Sequence, residues 1–290
     1  MTSTAIAVVL CVASAMAYAG AAVVQERVAH RPVRVLLSMP LWGAAIGLNG
    51  AGAALHVVAL RYGALSLVQP FGVLTLVLAV PFGAVLVRRA VTRVEWHGMA
   101  VTVAGLGGIL VLMGATSGIG AVGAGQLIGL LLVTAAVLTT LGGWSAVPGA
   151  SGLWAAAAGG VAFGVSSALT QTVAVQVSDA GLGALSRPGA VLAAVAIAVL
   201  SGAGLLFTQR SYRDGLAAPL AVNTLANPVA AAVIGLVLLG ERVAGGSVGV
   251  AVVGFSALAA GIGVGLLAKA QAERDDRPAR AGAVRAVAGG

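Results

Sequence analysis

Charge is what this 290-residue sequence most lacks. Only 8% of its residues are charged, against about 25% in an ordinary soluble domain. Twenty-four charged side chains cannot cover the surface of a soluble protein of this length, and a mean hydropathy of +1.06 points the same way. Cysteine occurs once, as Cys11 inside an apolar run. That excludes a disulfide framework and a thiolate metal site. Aromatic residues make up only 4%. No acidic residue falls in the middle of an apolar stretch: Glu26, Glu95, Asp179, Asp214, Glu241, Glu273, Asp275 and Asp276 all lie at the ends of runs, between them or in the tail. This argues against a carboxylate proton relay at mid-membrane and against a buried carboxylate cage for Mg²⁺, which prefers oxygen ligands.

What the sequence has instead is long apolar runs and 43 glycines. A spanning helix needs about 20 mostly apolar residues. Nine segments qualify: Thr4–Val24, Leu41–Leu60, Ala64–Val87, Trp96–Ala115, Gly125–Leu141, Leu153–Val175, Gly189–Gln209, Leu216–Leu239 and Gly246–Ala268. The runs are too long and continuous for the alternating strands of an outer-membrane barrel. Abundant small residues suit close helix packing in lipid. The formal charge of +8 would suggest nucleic acid in a soluble protein. Here thirteen of the sixteen basic residues fall on one side of a nine-span layout, and only Arg61, Arg187 and Arg242 on the other. Basic loops stay in the cytoplasm, so the excess is a topology signal and implies no nucleic-acid partner. The expectation is a plasma-membrane protein with its N-terminus outside and its C-terminus in the cytoplasm. Ala17-Tyr18-Ala19 has the form of a signal-cleavage site, but no basic region precedes it and positive charge follows the run, which favours a retained anchor.

An internal repeat runs through the chain. Leu48-Asn49-Gly50-Ala51-Gly52 recurs as Leu200-Ser201-Gly202-Ala203-Gly204, and Arg61-Tyr62-Gly63 as Arg213-Asp214-Gly215 at the same offset. Ala22-Val23-Val24-Gln25 parallels Ala168-Leu169-Thr170-Gln171. Spans one to four then repeat as six to nine. The odd span between them inverts the second copy, as in many secondary transporters. The expected fold is an all-α polytopic membrane bundle: a four-helix repeat over 1–115, a linking helix in 116–150, an inverted repeat over 151–268 and a disordered basic tail over 269–290.

The stretch Asn227-Pro228, Gly240-Glu241-Arg242 and Gly249 resembles the end of an EamA-type repeat of the drug/metabolite transporter superfamily. Val68-Gln69-Pro70-Phe71-Gly72 in a nine-span chain is similar to the NIPA-like branch of that superfamily. The sequence departs from the pattern where Arg88-Arg89 stands in place of Gly-Glu, and where Leu76 aligns with Pro228. The resemblance implies a transporter; the NIPA-like branch implies magnesium, which the missing mid-membrane carboxylates disfavour.

Polar residues at membrane depth are few. Asn223 and Asn227 are four apart on one helical face, with Thr224 between them and Pro228 freeing the Thr224 carbonyl. They read either as ligands for a polar solute or as interhelical glue. Asn49 and its counterpart Ser201, both flanked by glycine, read as cavity wall or crossing point. Gln69 and His56 share a depth and could contact substrate or gate. Gln25 and Gln171 occupy corresponding helix ends. Pro70, Pro81, Pro219 and Pro228 would bend the two equivalent helices, three and eight. Gly43/Gly47, Gly160/Gly164 and Gly261/Gly265 have the small-xxx-small spacing of helix crossings, and the four tryptophans fall at helix ends, as an interfacial belt would place them.

These readings converge on a secondary transporter of small polar metabolites or drugs, embedded in the bilayer, with no cofactor, no metal ligands and no enzymatic acid–base pair; a homodimer stays open. The alternatives are a NIPA-like divalent-cation transporter and a non-transporting scaffold that binds lipid through its basic tail. A polar cavity between the repeats would favour the carrier, a dry interior the scaffold.

Overall fold

The computed structural model describes residues 3–59, 61–62, 72–114, 124–238 and 243–288. Among them there is no strand. The main helices are α1 (Ser3–Arg27), α2 (Pro40–Ala59), α3 (Leu74–Leu86), α4 (Arg93–Gly114), α5 (Ala124–Ala146), α6 (Leu153–Ala180), α7 (Pro188–Ser211), α8 (Ala217–Leu238) and α9 (Gly246–Ala288). All but α3 are long and apolar enough to cross a membrane, which makes the chain a membrane-embedded helix bundle. Helix α3 has 13 residues, a rise of about 20 Å against a hydrocarbon core of about 30 Å. The beginning of the run expected as the third span, with Gln69 and Pro70, lies outside the described residues.

Local chemistry sets the helix boundaries. Helix α4 opens on a capping box. The Thr92 hydroxyl accepts from the Glu95 amide at 3.2 Å, and the Glu95 carboxylate accepts from the Thr92 amide at 2.9 Å, so two orphan donors of the first turn are satisfied reciprocally. Helix α6 stops where Gly181 turns to φ +70°, a conformation open to glycine at no steric penalty. Pro188 then starts α7 at a position where its missing N–H is not needed.

The last helix runs on past its apolar part. Helix α9 continues through the basic stretch from Lys269 to Ala288. Its alanines, arginines and Glu273 are good helix formers, and Lys269 and Glu273 are paired at i,i+4. The apolar composition that ends a span does not end a helix.

In packing, α1 lies against α2 and α3, and α6 lies in the same way against α7 and α8. Helix α4 packs along α9, α5 along α6, and α8 also touches α3, α4 and α9. One core gathers Leu76, Val80, Met99, Leu216, Leu220 and Leu267; the other gathers Leu138, Val165, Leu169, Leu200 and Ile234. Large apolar side chains such as Val85, Leu132, Val199 and Phe255 are exposed on the outside, as a lipid-facing surface requires.

In lipid, apolar area gives helices no reason to associate, so close approach through small residues carries the packing. At the α4/α9 crossing, a Cβ added to Gly98 would lie 3.0 Å from the Gly263 carbonyl, and one on Gly105 would lie 2.5 Å from the Ala260 amide. At the α6/α8 crossing, Gly160 lets the Asn223 carbonyl approach, and Gly164 that of Asn227. Of the three glycine pairs read as crossings, only Gly160/Gly164 makes one. Added Cβ atoms on Gly43, Gly47, Gly261 and Gly265 would meet nothing within 4 Å. The contact faces of α2 and α9 are rotated away from those pairs, to Gly52 under the Tyr18 ring and to Gly263.

One end of the bundle can be identified from cross-helix bonds. The Gln209 amide donates to the Gln25 carbonyl at 2.9 Å, and Arg213 Nε to the Ala29 carbonyl at 3.1 Å. The Gly152 amide donates to the Asp214 carboxylate. The C-terminal ends of α1 and α7 therefore meet the N-terminal end of α6. Arg89, after α3, and Arg274, late in α9, both bind Glu95 at the start of α4. This end carries most of the described basic residues, and we refer to it as the basic end.

Candidate functional site

A cavity of about 700 Å³ opens in the basic end. Its walls come from the end of α1, the last turns of α3, the loop into α4, the start of α8 and the extension of α9. Tyr212, 2% exposed, forms part of its floor. Its charged lining consists of Glu26, Arg89, Arg213, Asp214 and Arg274 with His30 beside them, and Gln271 and Ser151 add uncharged polar groups.

One wall is an ion cluster. Glu95 is completely buried. Its carboxylate receives Arg89 through two N–H bonds, at 2.9 and 3.0 Å, receives Arg274 from α9, and accepts from the Thr92 hydroxyl at 3.1 Å. A carboxylate removed from water is tolerated only when paired and hydrogen-bonded in this way. Two-point binding by a guanidinium also fixes its plane. The cluster ties the first half of the chain to the last helix.

The opposite wall is different. The carboxylate of Glu26, which is partly buried near the end of α1, has no hydrogen bond or ion pair among the described residues. A Cβ on Gly83 would lie 3.8 Å from its carboxylate, which places it against α3. Gln271 packs on Gly215, whose φ of +106° leaves no room for a side chain. The side-chain oxygen of Gln271, Oε1, is buried without a partner, as are Gln25 Nε2 and Gln209 Oε1. Buried orphan polar atoms are uncommon in folded proteins, and these three lie at this end together with a fourth, Trp42 Nε1.

The residues singled out from the sequence are distributed as follows. Asn223 is buried and donates to the Thr208 hydroxyl at 2.6 Å, linking α8 to α7. Thr224 donates to the Leu220 carbonyl within its own helix. Asn227 follows one turn later on the α8 segment that crosses α6 at Gly164. Asn49 bonds back to the Ala45 carbonyl at 3.1 Å, whereas its counterpart Ser201 faces Ser166 at 2.9 Å between α7 and α6. Gln25 is buried and Gln171 exposed, although they correspond in the repeat. His56 is half-buried on α2. Pro81 and Pro228 lie inside their helices, while Pro219 occupies the first turn of α8. Pro219 is the one member of this set in the cavity lining among the described residues.

Sequence reasoning therefore passed over the cavity's own residues. Thr92-x-x-Glu95 before an apolar run was a legible capping signal. Glu26, Tyr212, Gln271 and Arg274 carried no such mark, because each is brought in from a separate helix end. Among the described residues no group of three or more His, Cys, Asp or Glu side chains could hold a metal ion. No protein-family model, curated protein or solved structure matches the chain.

Proposed function

We propose that the chain is a secondary transporter of small polar metabolites or drugs, of the drug/metabolite transporter type, that works by alternating access between two inverted four-helix halves. The observation that carries this reading is the cavity of about 700 Å³ with a charged and polar lining, walled by both halves of the chain. A volume of this order suits a small molecule. A scaffold that only anchored lipid would have no use for it.

The helix arrangement supports the repeat. The packing of α1 with α2 and α3 parallels that of α6 with α7 and α8. Gly52 lies under the ring of Tyr18 from α1, and Gly204, its partner in the sequence repeat, lies under the ring of Phe163 from α6. Helix α1 ends at the basic end while α6 begins there, which supports an inverted relation. With basic loops retained in the cytoplasm, the cavity faces the cytoplasm in a plasma-membrane protein.

The test is uptake by proteoliposomes offered a metabolite mixture, read by mass spectrometry. Ala272 is exposed and lines the cavity, so Ala272→Trp fills the space without disturbing a buried contact. Uptake of a solute that is lost in Ala272→Trp at unchanged melting temperature supports the reading. Undiminished uptake in that variant overturns the assignment of the cavity as the substrate path.

A further inference from the structure

The charges around the cavity are arranged unequally. Arg274 and Arg89 are both held by Glu95, yet both line the cavity, and their side chains remain 23% and 29% exposed. Glu26 lines the same cavity from α1 and has no ion-pair partner among the described residues. Two carboxylates thus border one space, and one of them holds both guanidiniums. A cationic ligand for Glu26 would have to enter against three lining arginines. A guanidinium already in the wall needs only to change partner.

The geometry points to a gate in which Arg274 exchanges Glu95 for Glu26: parked on Glu95, it leaves the cavity open, and paired with Glu26 across the cavity, it closes the basic end by drawing α9 onto α1. This rests on the alternating-access reading above. Both partners are carboxylates, so the exchange replaces one ion pair by another, and once it is made each carboxylate has a guanidinium. Such an exchange can be nearly balanced, whereas breaking a buried pair outright is strongly unfavourable. Arg89 stays with Glu95 through two N–H bonds and keeps that carboxylate compensated while Arg274 is away. Rigid-body movement between two discrete arrangements is the usual form of such a transition.

The experiment measures the distance between spin labels at Val33→Cys and Glu273→Cys in a Cys11→Ser background, in lipid nanodiscs. Both positions are exposed and neither lines the cavity. Two distance populations are expected. Glu26→Gln and Arg274→Gln should each lose the shorter one. Glu95→Gln should enrich it, by about fivefold or more if the released pair is worth about 1 kcal/mol. The opposite sign for the two carboxylates is what a purely structural role would not produce. Glutamine preserves the capping box, and Thr92→Ala, which weakens the cap and spares the ion pairs, controls for a loosened α4: it should leave the ratio unchanged. A single population in the unmodified background, or an equal ratio in all variants, overturns the gate. Two populations with the expected signs in a protein that moves no solute uphold the gate and count against the transport reading alone.

Discussion

Glu95 has more polar partners than any other acidic side chain described, and it shows how one residue can act on two levels. Its carboxylate caps α4 and at the same time binds α9 through Arg274. Glu95→Ala leaves two guanidiniums facing a void and should destabilise the protein by about 3 kcal/mol, the low end for one partner of a buried pair because both arginines keep some solvent. Glu95→Gln keeps the cap and should lose distinctly less. Thermal melting in detergent distinguishes them. The Asn223–Thr208 bond is the second test at this scale. A double-mutant cycle with Asn223→Ala and Thr208→Val should give a coupling of about 0.6 kcal/mol, within the range of interhelical bonds in membranes. A coupling near zero would mean that Asn223 is available to a ligand after all.

At the scale of helices, the glycines decide which faces meet. Gly105 and Gly263 stand where α4 and α9 backbones approach within reach of an added methyl group, whereas Gly261 and Gly265 face open space. Gly105→Ala and Gly263→Ala should each cost about 1–3 kcal/mol by overpacking. Gly261→Ala and Gly265→Ala should be neutral or slightly stabilising, because alanine is the better helix former. Melting temperatures of the four variants provide the comparison. The spacing of Gly261/Gly265 is the same small-xxx-small spacing as Gly160/Gly164, so spacing alone did not reveal which pair is a crossing. The facing helix does: α8 offers Gly160 and Gly164 the carbonyls of Asn223 and Asn227, and nothing comparable faces Gly261.

For the whole molecule, the division of charge is the feature with consequences. The basic end gathers the loops after α1 and α3, the end of α7 and the late part of α9, while Arg187 stands at the start of α7 at the other end. The tryptophans follow: Trp42, Trp96, Trp144 and Trp154 all belong to helix ends on the basic side, and Trp144 and Trp154 meet edge to face at 4.9 Å. If the basic end is cytoplasmic, a membrane-impermeant maleimide applied to intact cells should label Leu185→Cys and leave Val33→Cys unlabelled, each in a Cys11→Ser background. The reverse pattern would invert the topology. Both positions are exposed, so accessibility to the reagent depends only on the side of the membrane.

Composition and the placement of basic residues were enough to read a helical membrane protein from the sequence, because the lipid interior forces backbone polar groups into helices and repels charge. Those are constraints of the solvent, and they act on each segment separately. The offset between Gly52 and Gly204 was equally legible, since it is a property of the chain itself. The candidate site was not. The sequence directed attention to Asn223 and Asn227 because they are polar residues at depth, but the fold commits Asn223 to Thr208 and builds its cavity from Glu26, Tyr212, Gln271 and Arg274, which are scattered along the chain at helix ends. Which ends meet depends on how the described helices pack against one another, through contacts between residues as far apart as Glu95 and Arg274. Periodicity and composition report what a segment can bury. Only the tertiary structure decides which groups, once out of water, become each other's partners.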